Sequence, residues 1–232
     1  MQSVILAAGR GTRMEELTSS VPKPMLVIGG KTLLEHKLDA LPAEVDEVIF
    51  VVGYLSDVIR NRFGAKYTEK KISYQEQTQL DGTAGALWRA QPLLKEKFLV
   101  MMGDDIYARH DIQQCIVVKE WGLLVQQIPH LRRAGGVRLN AEGNIEAIIE
   151  GDRWEEAGIA STNMFVLDTR LFSQPMIPKQ EGSPEFGLPQ TVVAAAHALG
   201  VKLEPVFTDQ WIQVTSPKDL VHAEGELKKM NN

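Results

Sequence analysis

The sequence predicts a three-layer α/β sandwich, in which helices cover both faces of a mixed, mostly parallel central sheet. Apolar runs of strand length at 3–8, 46–53 and 98–102 are continuous, which is typical of strands buried on both faces. Amphipathic stretches of helical length separate these runs. Because strand and helix alternate from the start of the chain, neighbouring strands are expected to be parallel.

The first half of the chain is expected to supply the parallel strands and their connecting helices. The predicted strands are 3–8, 46–53, 71–77 and 98–102, and the predicted helices are 32–41, 56–63 and 83–94. Thr32 can cap the first helix, because its hydroxyl can accept a hydrogen bond from a free backbone N–H group. The fourth strand ends in Gly103-Asp104-Asp105. Two carboxylates therefore lie at the edge where open α/β sheets bind ligands.

The second half has a less regular pattern. The predicted helices are 111–121, 189–199 and 217–229, and the predicted strands are 123–128, 159–167 and 201–207. Residues 135–150 predict a hairpin with its turn at 140–144, and residues 151–157 are expected to form a loop. Without a linker or an internal repeat, residues 1–232 are interpreted as one domain with halves at 1–105 and 106–232.

Composition and charge exclude several classes of protein. The formal net charge of −5 leaves no broad basic surface for nucleic acid. Cys115 is the single cysteine, so neither a disulfide framework nor a thiolate metal site can form within the chain. No apolar stretch reaches the roughly 18 residues of a membrane span, and no secretory signal precedes the first strand. We therefore expect a cytoplasmic protein without nucleic-acid or membrane partners.

The loop after the first strand is typical of a phosphate-binding site. Residues 4–14, VILAAGRGTRM, lead from an apolar strand into a segment with Gly9 and Gly11. Glycines permit positive φ angles and leave backbone N–H groups accessible to an anion. Arg13 and Lys23 add positive charge. The combination of small residues, free amides and cations predicts that a polyphosphate binds here.

Two common nucleotide motifs do not fit this region. In G-x-G-x-x-G, the third glycine would fall on Met14. Gly30-Lys31-Thr32 resembles the end of a Walker loop, but the opening glycine would fall on Met25. Neither a dinucleotide fold nor a P-loop is therefore predicted.

A longer pattern does match a known family. Leu6-Ala7-Ala8-Gly9-Arg10-Gly11-Thr12-Arg13-Met14, followed by Pro22-Lys23-Pro24-Met25-Leu26, resembles the signature of the sugar-1-phosphate nucleotidylyltransferases. The resemblance implies a GT-A-like, Rossmann-like nucleotidyltransferase fold with a nucleotide-binding half at 1–105 and a sugar-phosphate acceptor half at 106–232. It also implies two substrates, a nucleoside triphosphate and a sugar 1-phosphate. Since related enzymes are often oligomers, a homo-oligomer stays open.

The resemblance assigns residues to the nucleotide and to catalysis. Gln77 and the segment Asp81-Gly82-Thr83 resemble the part of the family that contacts the base, and Thr83 in place of a bulkier residue favours UTP or dTTP. The catalytic residues would be Arg13, Lys23 and Asp104. The nucleotide-binding residues would be Leu6, Ala8, Gly9, Gly11, Thr12, Arg13, Gln77, Gly82 and Thr83.

The same resemblance implies Mg²⁺ as cofactor. Asp104 would be its first ligand, because carboxylate oxygens suit Mg²⁺, which takes only one or two protein ligands beside phosphates and water. Gln213 stands where the family often has an aspartate as second ligand, and it can offer only a neutral carbonyl oxygen. Asp209 is the alternative source of that ligand.

The acceptor half departs further from the family. The residues that would bind the sugar phosphate are Gly136, Glu150, Thr162 and Asn163. Gly151 replaces the lysine expected after Glu150, and Arg153 is a candidate substitute. Ser161-Thr162-Asn163 stands where the family commonly has Asn-Thr-Gly.

These departures keep other functions open. A cytidylyltransferase or guanylyltransferase for another phosphorylated acceptor is the alternative enzyme. A catalytically weak homologue that binds a sugar nucleotide and regulates a partner is the alternative of another class. A plain nucleotide-binding module would leave Asp104 and the acceptor half without a role. Since the sequence stops soon after its last predicted helix, we expect no left-handed β-helical acyltransferase domain.

Overall fold

The computed structural model describes residues 1–129, 135–150 and 157–230, so most of the predicted loop at 151–157 lies outside the described residues. The strands are β1 (Gln2–Ala7), β2 (Val27–Ile28), β3 (Lys31–Thr32), β4 (Glu47–Val52), β5 (Lys66–Tyr67), β6 (Lys70–Glu76), β7 (Lys97–Met102), β8 (Trp121–Ile128), β9 (Gly135–Leu139), β10 (Ile145–Ile149), β11 (Gly158–Asp168) and β12 (Leu203–Thr208). The α-helices are α1 (Leu33–Ala40), α2 (Ser56–Phe63), α3 (Gly82–Ala90), α4 (Arg109–Ile116), α5 (Leu188–Leu199) and α6 (Pro217–Met230).

The main sheet is mixed, with parallel strands at its centre. Strands β7, β1, β4 and β6 are neighbours in that order, and all three pairings are parallel. β11 continues the sheet antiparallel to β7, β9 and β10 form the predicted hairpin, and β12 runs parallel to β8. The predicted α/β class is confirmed. Because the four parallel strands point the same way, the loops that follow β1 and β7 meet at one edge of the sheet.

Helices pack on both faces of this sheet, which confirms the three-layer arrangement. Ile5 and Ala7 of β1 face the cluster that contains residues of α1, α2 and α4. Val4 and Leu6 face the opposite cluster, which contains residues of α3 and α5. Burial on both faces explains why the apolar run of β1 is continuous rather than alternating. Within the described residues, no helix combines the length and apolar character needed to cross a membrane.

Strand β11 changes partner along its length. Its first residues pair with β9, while Phe165–Asp168 pair with β7. The register against β8 shifts between Ser161 and Phe165, and Asn163 within that shift has a φ of 57°. Such an irregularity redirects side chains relative to a regular strand. Asn163 lies just before the part of β11 that pairs with β7.

The first helix begins as the sequence predicts. The Thr32 hydroxyl accepts a hydrogen bond from the backbone N–H of Glu35 at 3.1 Å. The Glu35 carboxylate in turn accepts from the backbone N–H of Thr32 at 2.7 Å, which completes a capping box. The helix therefore starts at Leu33 and directs Leu34 and Leu38 into the core.

Two predicted helices are shorter than the sequence suggested. The predicted helix 111–121 ends at Ile116, because Trp121 is fully buried as the first residue of β8. The predicted helix 83–94 ends at Ala90, after which Pro92 lies in a short 3-10 helix. Proline lacks the backbone N–H that would continue the α-helix. Both differences concern the ends of elements and leave the order of the fold unchanged.

Candidate active site

A cleft of about 560 Å³ lies at the edge where β1 and β7 end. It brings together the following residues that the sequence singled out: Leu6, Ala8, Gly9, Gly11, Thr12, Arg13, Lys23, Gln77, Gly82, Thr83, Asp104, Glu150 and Asn163. Gly136, Thr162 and Gln213 are not among the residues that line it. The two halves of the chain thus contribute to one cleft.

The loop after β1 packs closely against Lys23. Gly11 has a φ of 65°, and a Cβ atom at this position would lie 2.8 Å from the Cβ of Lys23. Its carbonyl oxygen accepts hydrogen bonds from the Met14 backbone N–H at 2.9 Å and from the Thr18 hydroxyl at 3.2 Å. Glycine is therefore required at 11 both by conformation and by space. The packing fixes Arg13 and Lys23 on the same side of the cleft.

Lys23 and Asp104 form an ion pair inside the cleft. The Nζ atom of Lys23 lies 2.6 Å from Oδ2 of Asp104, at the end of β7. The Lys23 side chain is 9% exposed, whereas that of Asp104 is 37% exposed. Arg13 is exposed on the cleft surface. In this part of the cleft an enclosed cation, Lys23, therefore lies beside a more accessible carboxylate, Asp104.

A second pair of charges lies behind this one. Lys37 and Asp105 are both buried, and the Lys37 ammonium group donates a hydrogen bond to the backbone carbonyl of Asp105. Burial, together with the charge of Asp104, raises the pKa of the Asp105 carboxyl group. Burial lowers the pKa of Lys37, although the carboxylates of Asp105 and Asp104 oppose that shift.

Gln77 is held in place at the opposite side of the cleft. Its Nε2 atom donates hydrogen bonds to the Asp81 carboxylate at 2.7 Å and to the Gly82 carbonyl at 3.0 Å. Arg89 fixes the other oxygen of Asp81 at 2.9 Å. Because both N–H groups of the amide are engaged, Gln77 can offer a ligand only its carbonyl oxygen.

The segment before α5 forms a side of the cleft that the sequence analysis missed. The Phe186 backbone N–H donates to the Asp81 carbonyl at 2.8 Å, and its carbonyl accepts from the Ala84 N–H at 3.1 Å. Gly82 has a φ of 93°, and a Cβ atom there would lie 2.3 Å from the Phe186 carbonyl oxygen. Only glycine fits such an approach. The newly identified lining residues here are Lys179, Glu185, Phe186, Gly187, Leu188 and Pro189.

The remaining lining residues lie close in sequence to the predicted site residues, and Ala7, Arg10, Pro24 and Gly103 belong to the motifs described above. These remaining residues are Ala7, Arg10, Pro24, Leu80, Ala86, Met102 and Gly103. Leu80 is 48% exposed and adds an apolar side chain to the lining of the cleft. The sequence signal for most of these residues was their position at the end of β1 or β7.

The acceptor residues divide into two groups. Glu150 and Asn163 line the cleft, and Oε2 of Glu150 accepts a hydrogen bond from Gln190 at 3.2 Å. Thr162 is fully buried and its hydroxyl donates to the Leu124 carbonyl at 2.8 Å. Gly136 lies within β9, paired with Ile149 and Ala160. Gly151 and Arg153 lie outside the described residues.

The residues around Asp104 determine whether a metal ion fits. Ile106 and Ile212 pair in an antiparallel bridge, so Gln213, which follows Ile212, comes opposite Asp105, which precedes Ile106. Gln213 does not line the cleft. Asp209 lies near Asp111 and adds to the effect of burial in raising the pKa of that carboxyl group. In the described ranges, no group of three or more His, Cys, Asp or Glu residues could hold a metal. Asp104 suits Mg²⁺ only if phosphates and water complete the coordination.

Comparison with known proteins identifies relatives over almost the whole chain. The family model described as "Nucleotidyl transferase" matches residues 2–229. The chain is 29% identical over 233 residues to the bifunctional protein GlmU of Methanocaldococcus jannaschii, which covers 98% of this chain and 54% of that protein. It therefore spans about half the length of such curated relatives.

Two further comparisons match nearly full-length proteins. The UTP–glucose-1-phosphate uridylyltransferase AglF of Haloferax volcanii is 26% identical over 237 residues, with 99% of this chain and 97% of that protein covered. A solved structure described as a putative glucose-1-phosphate thymidylyltransferase from Bacillus anthracis superposes with a TM-score of 0.81 at 21% identity. That match covers 97% of this chain and 94% of the other, and it supports the fold.

Proposed function

The chain belongs to the nucleotidyl transferase family, and on that basis we propose that it transfers a nucleotidyl group from a nucleoside triphosphate to a sugar 1-phosphate. The products are a nucleoside diphosphate sugar and pyrophosphate. The observation that carries this proposal is the single cleft in which Lys23 and Asp104 meet between a glycine loop and the acceptor residues Glu150 and Asn163.

The triphosphate binds the loop after β1. The positive φ of Gly11 turns the backbone so that amide groups and Arg13 can face the same anion. Lys23 leaves Asp104 to contact the phosphates, because a flexible ammonium group can exchange one oxygen ligand for another. Arg13 balances charge on the β- and γ-phosphates, and Lys23 contacts the α-phosphate.

The base binds beside Gln77, and UTP or dTTP is favoured. Uracil and thymine present an N–H group at position 3, which can donate to the one atom that Gln77 has free, its carbonyl oxygen. Cytosine presents an acceptor at that position, so two acceptors would face each other. The Thr83 hydroxyl accepts from the Leu188 N–H at 2.9 Å, which keeps this small side chain against α5.

The sugar 1-phosphate binds toward Glu150 and Asn163. Carboxylate and amide groups accept and donate the hydrogen bonds that sugar hydroxyls need. Lys179 lines the cleft on the α5 side and can neutralise the acceptor phosphate. It would thereby take the role of the family lysine that Gly151 replaces in this chain. Thr162 and Gly136 then support Asn163 through the sheet rather than contacting the sugar.

The reaction requires positioning more than acid–base chemistry. A phosphate oxygen of the sugar 1-phosphate attacks the α-phosphorus, and the bond from that phosphorus to the bridging oxygen breaks. The electron pair leaves with pyrophosphate, and no covalent intermediate with the protein forms. Arg13 and Lys23 hold the phosphates in line and offset their negative charge. Bound Mg²⁺, held by Asp104, would supply further positive charge at the phosphates.

A substrate panel tests this proposal. Pyrophosphate release is measured for the four ribonucleotides and dTTP, each with a set of sugar 1-phosphates and Mg²⁺. We expect the highest kcat/KM with UTP or dTTP. Preference for CTP or GTP would support the alternative enzyme, and tight binding of a sugar nucleotide with no release from any pair would support a regulatory homologue.

A further inference from the structure

Lys37 is a buried lysine that the proposed reaction does not use. It lies on α1 and is only 1% exposed. Its ammonium group donates to the Asp105 backbone carbonyl and lies 3.5 Å from the carbonyl of Leu33. A fully buried lysine is rare unless it is paired, because removing an ammonium group from water is costly. Its position directly behind the Lys23–Asp104 pair therefore needs a reason.

Four ionisable side chains lie close together at and behind the cleft. Lys23 and Lys37 are the cations, and Asp104 and Asp105 are the carboxylates. When Lys23 turns to a nucleotide phosphate, it no longer balances Asp104. Lys37 cannot follow, because it is enclosed in the core. Lys37 thus keeps its contact with the Asp105 backbone carbonyl when Lys23 changes partner.

Helix α1 connects both members of the catalytic pair. It contacts the Asp104 segment through the hydrogen bond from Lys37 to Asp105. It contacts the segment that follows Lys23 at its first residue, where the Leu33 N–H donates to the Leu26 carbonyl at 3.0 Å. The position of Asp104 relative to Lys23 consequently depends on how this helix holds Asp105.

The segment after Asp105 is fixed from two other directions. The Tyr107 hydroxyl donates to the Thr162 carbonyl at 3.0 Å. Ile106 exchanges two backbone hydrogen bonds with Ile212, at 2.9 and 3.1 Å. These contacts hold residues 106 and 107 in place. The hydrogen bond from Lys37 to the Asp105 carbonyl then fixes the next residue back, and so orients the backbone at Asp104.

We propose that Lys37 is a positioning residue, which holds the Asp105 backbone carbonyl so that Asp104 faces the nucleotide phosphates and their metal ion. This inference rests on the proposed function. The competing explanation is that Lys37 only stabilises the fold, as many buried hydrogen-bonded groups do.

Lys70 provides a matched control for that explanation. It is also buried, at 9% exposure, and its ammonium group donates to the carbonyls of Pro42 at 3.0 Å and Val45 at 2.7 Å. These residues precede β4, whereas the cleft lies where the parallel strands end. Loss of Lys70 therefore removes a buried lysine with two carbonyl partners and leaves the active-site charges unchanged.

The experiment compares Lys37→Met with Lys70→Met. Binding of Mn²⁺ is titrated by electron paramagnetic resonance in the presence of a non-hydrolysable UTP analogue, and thermal unfolding is measured in parallel. Loss of a residue that supports a metal ligand typically costs about 10- to 100-fold in metal affinity or activity. We expect a weakening of that size for Lys37→Met and less than about twofold for Lys70→Met, while both substitutions lower Tm.

A double variant keeps the test valid if Lys37→Met does not fold. Lys37→Met with Asp105→Asn removes the lysine without leaving a buried carboxylate uncompensated. The double variant should fold and still bind Mn²⁺ at least about 10-fold more weakly than the wild type. Wild-type affinity in either folded variant, or equal weakening in Lys70→Met, would overturn the inference alone. A wild-type protein that binds no Mn²⁺ with the analogue would overturn the proposed function as well.

Discussion

The ammonium group of Lys23 lies 2.6 Å from the Asp104 carboxylate, so the cation proposed for phosphate binding and the carboxylate proposed for metal binding neutralise each other in the free protein. Substrate binding must separate them. In the free protein Lys23 is therefore enclosed and paired with Asp104, and an anionic substrate has to replace Asp104 as its partner.

Gln77→Ala should reduce discrimination between bases more than it reduces catalysis. The substitution removes the carbonyl oxygen that is available to the base. Leaving the buried partner of a hydrogen bond unsatisfied costs about 1–3 kcal/mol of binding free energy. We expect the ratio of kcat/KM for UTP over CTP to fall about 10-fold. Steady-state kinetics with both nucleotides measures it, and an unchanged ratio would argue against a contact between Gln77 and the base.

Lys179→Met should weaken binding of the acceptor and spare the donor. A hydrogen bond to a charged group contributes about 1.5–3 kcal/mol, so we expect KM for the sugar 1-phosphate to rise about 10- to 100-fold. KM for the nucleotide should change less than about twofold. Lys202→Met, at an exposed lysine outside the cleft, is the control. A rise confined to the nucleotide KM would place Lys179 in the donor site instead.

Gly82→Ala should destabilise the protein more than Gly143→Ala. Both glycines have positive φ angles, 93° and 82°, so both substitutions introduce backbone strain of about 1 kcal/mol or more. Only at Gly82 would the new Cβ meet a backbone atom, the Phe186 oxygen at 2.3 Å, whereas nothing lies within 4 Å at Gly143. Urea denaturation should show the larger loss at Gly82. Equal losses would mean that the approach of Phe186 is easily relieved.

Glu35→Gln should make stability less dependent on acid pH. Burial opposes ionisation of Glu35, but hydrogen bonds from Thr32 and Arg62 outweigh it and lower the pKa below 4.5. A lowered pKa in the folded state stabilises the protein above the unfolded pKa, and this contribution disappears as pH falls through the folded pKa. The difference in unfolding free energy between wild type and Glu35→Gln should be largest near pH 7 and shrink below about pH 4.5.

Urea denaturation at several pH values between 3 and 7 measures that difference. Glu69→Gln is the matched control, because the Glu69 side chain is 94% exposed. A difference that stays constant across this range would contradict a contribution from the carboxylate charge of Glu35.

The sequence predicted those parts of the site that follow directly from strand ends. The glycine loop follows β1 and Asp104 follows β7, and parallel neighbours bring such loops together. Lys179 and Phe186 were not predictable in this way, because their place depends on hydrogen bonds between Phe186 and residues about 100 positions earlier in the chain. Such long-range pairing leaves no local pattern.

The acceptor strand shows a second limit. Alternation along β11 does not reveal that its register shifts between Ser161 and Phe165. Asn163, which lies within that shift, lines the cleft, while Thr162 is fully buried. The shift accommodates two extra residues of β11 opposite β8, so simple alternation does not show which side chains there face a ligand.

The central claim is that Lys23 and Asp104 act together on a nucleotide phosphate. Pyrophosphate release from UTP or dTTP with a sugar 1-phosphate, measured for wild type, Lys23→Met and Asp104→Asn, tests it most directly. Lys31→Met, which removes an exposed lysine paired with Asp39, is the control. We predict that either cleft substitution lowers kcat about 100- to 1,000-fold with the fold intact, and that the control does not. Near wild-type turnover in both cleft variants would contradict the account.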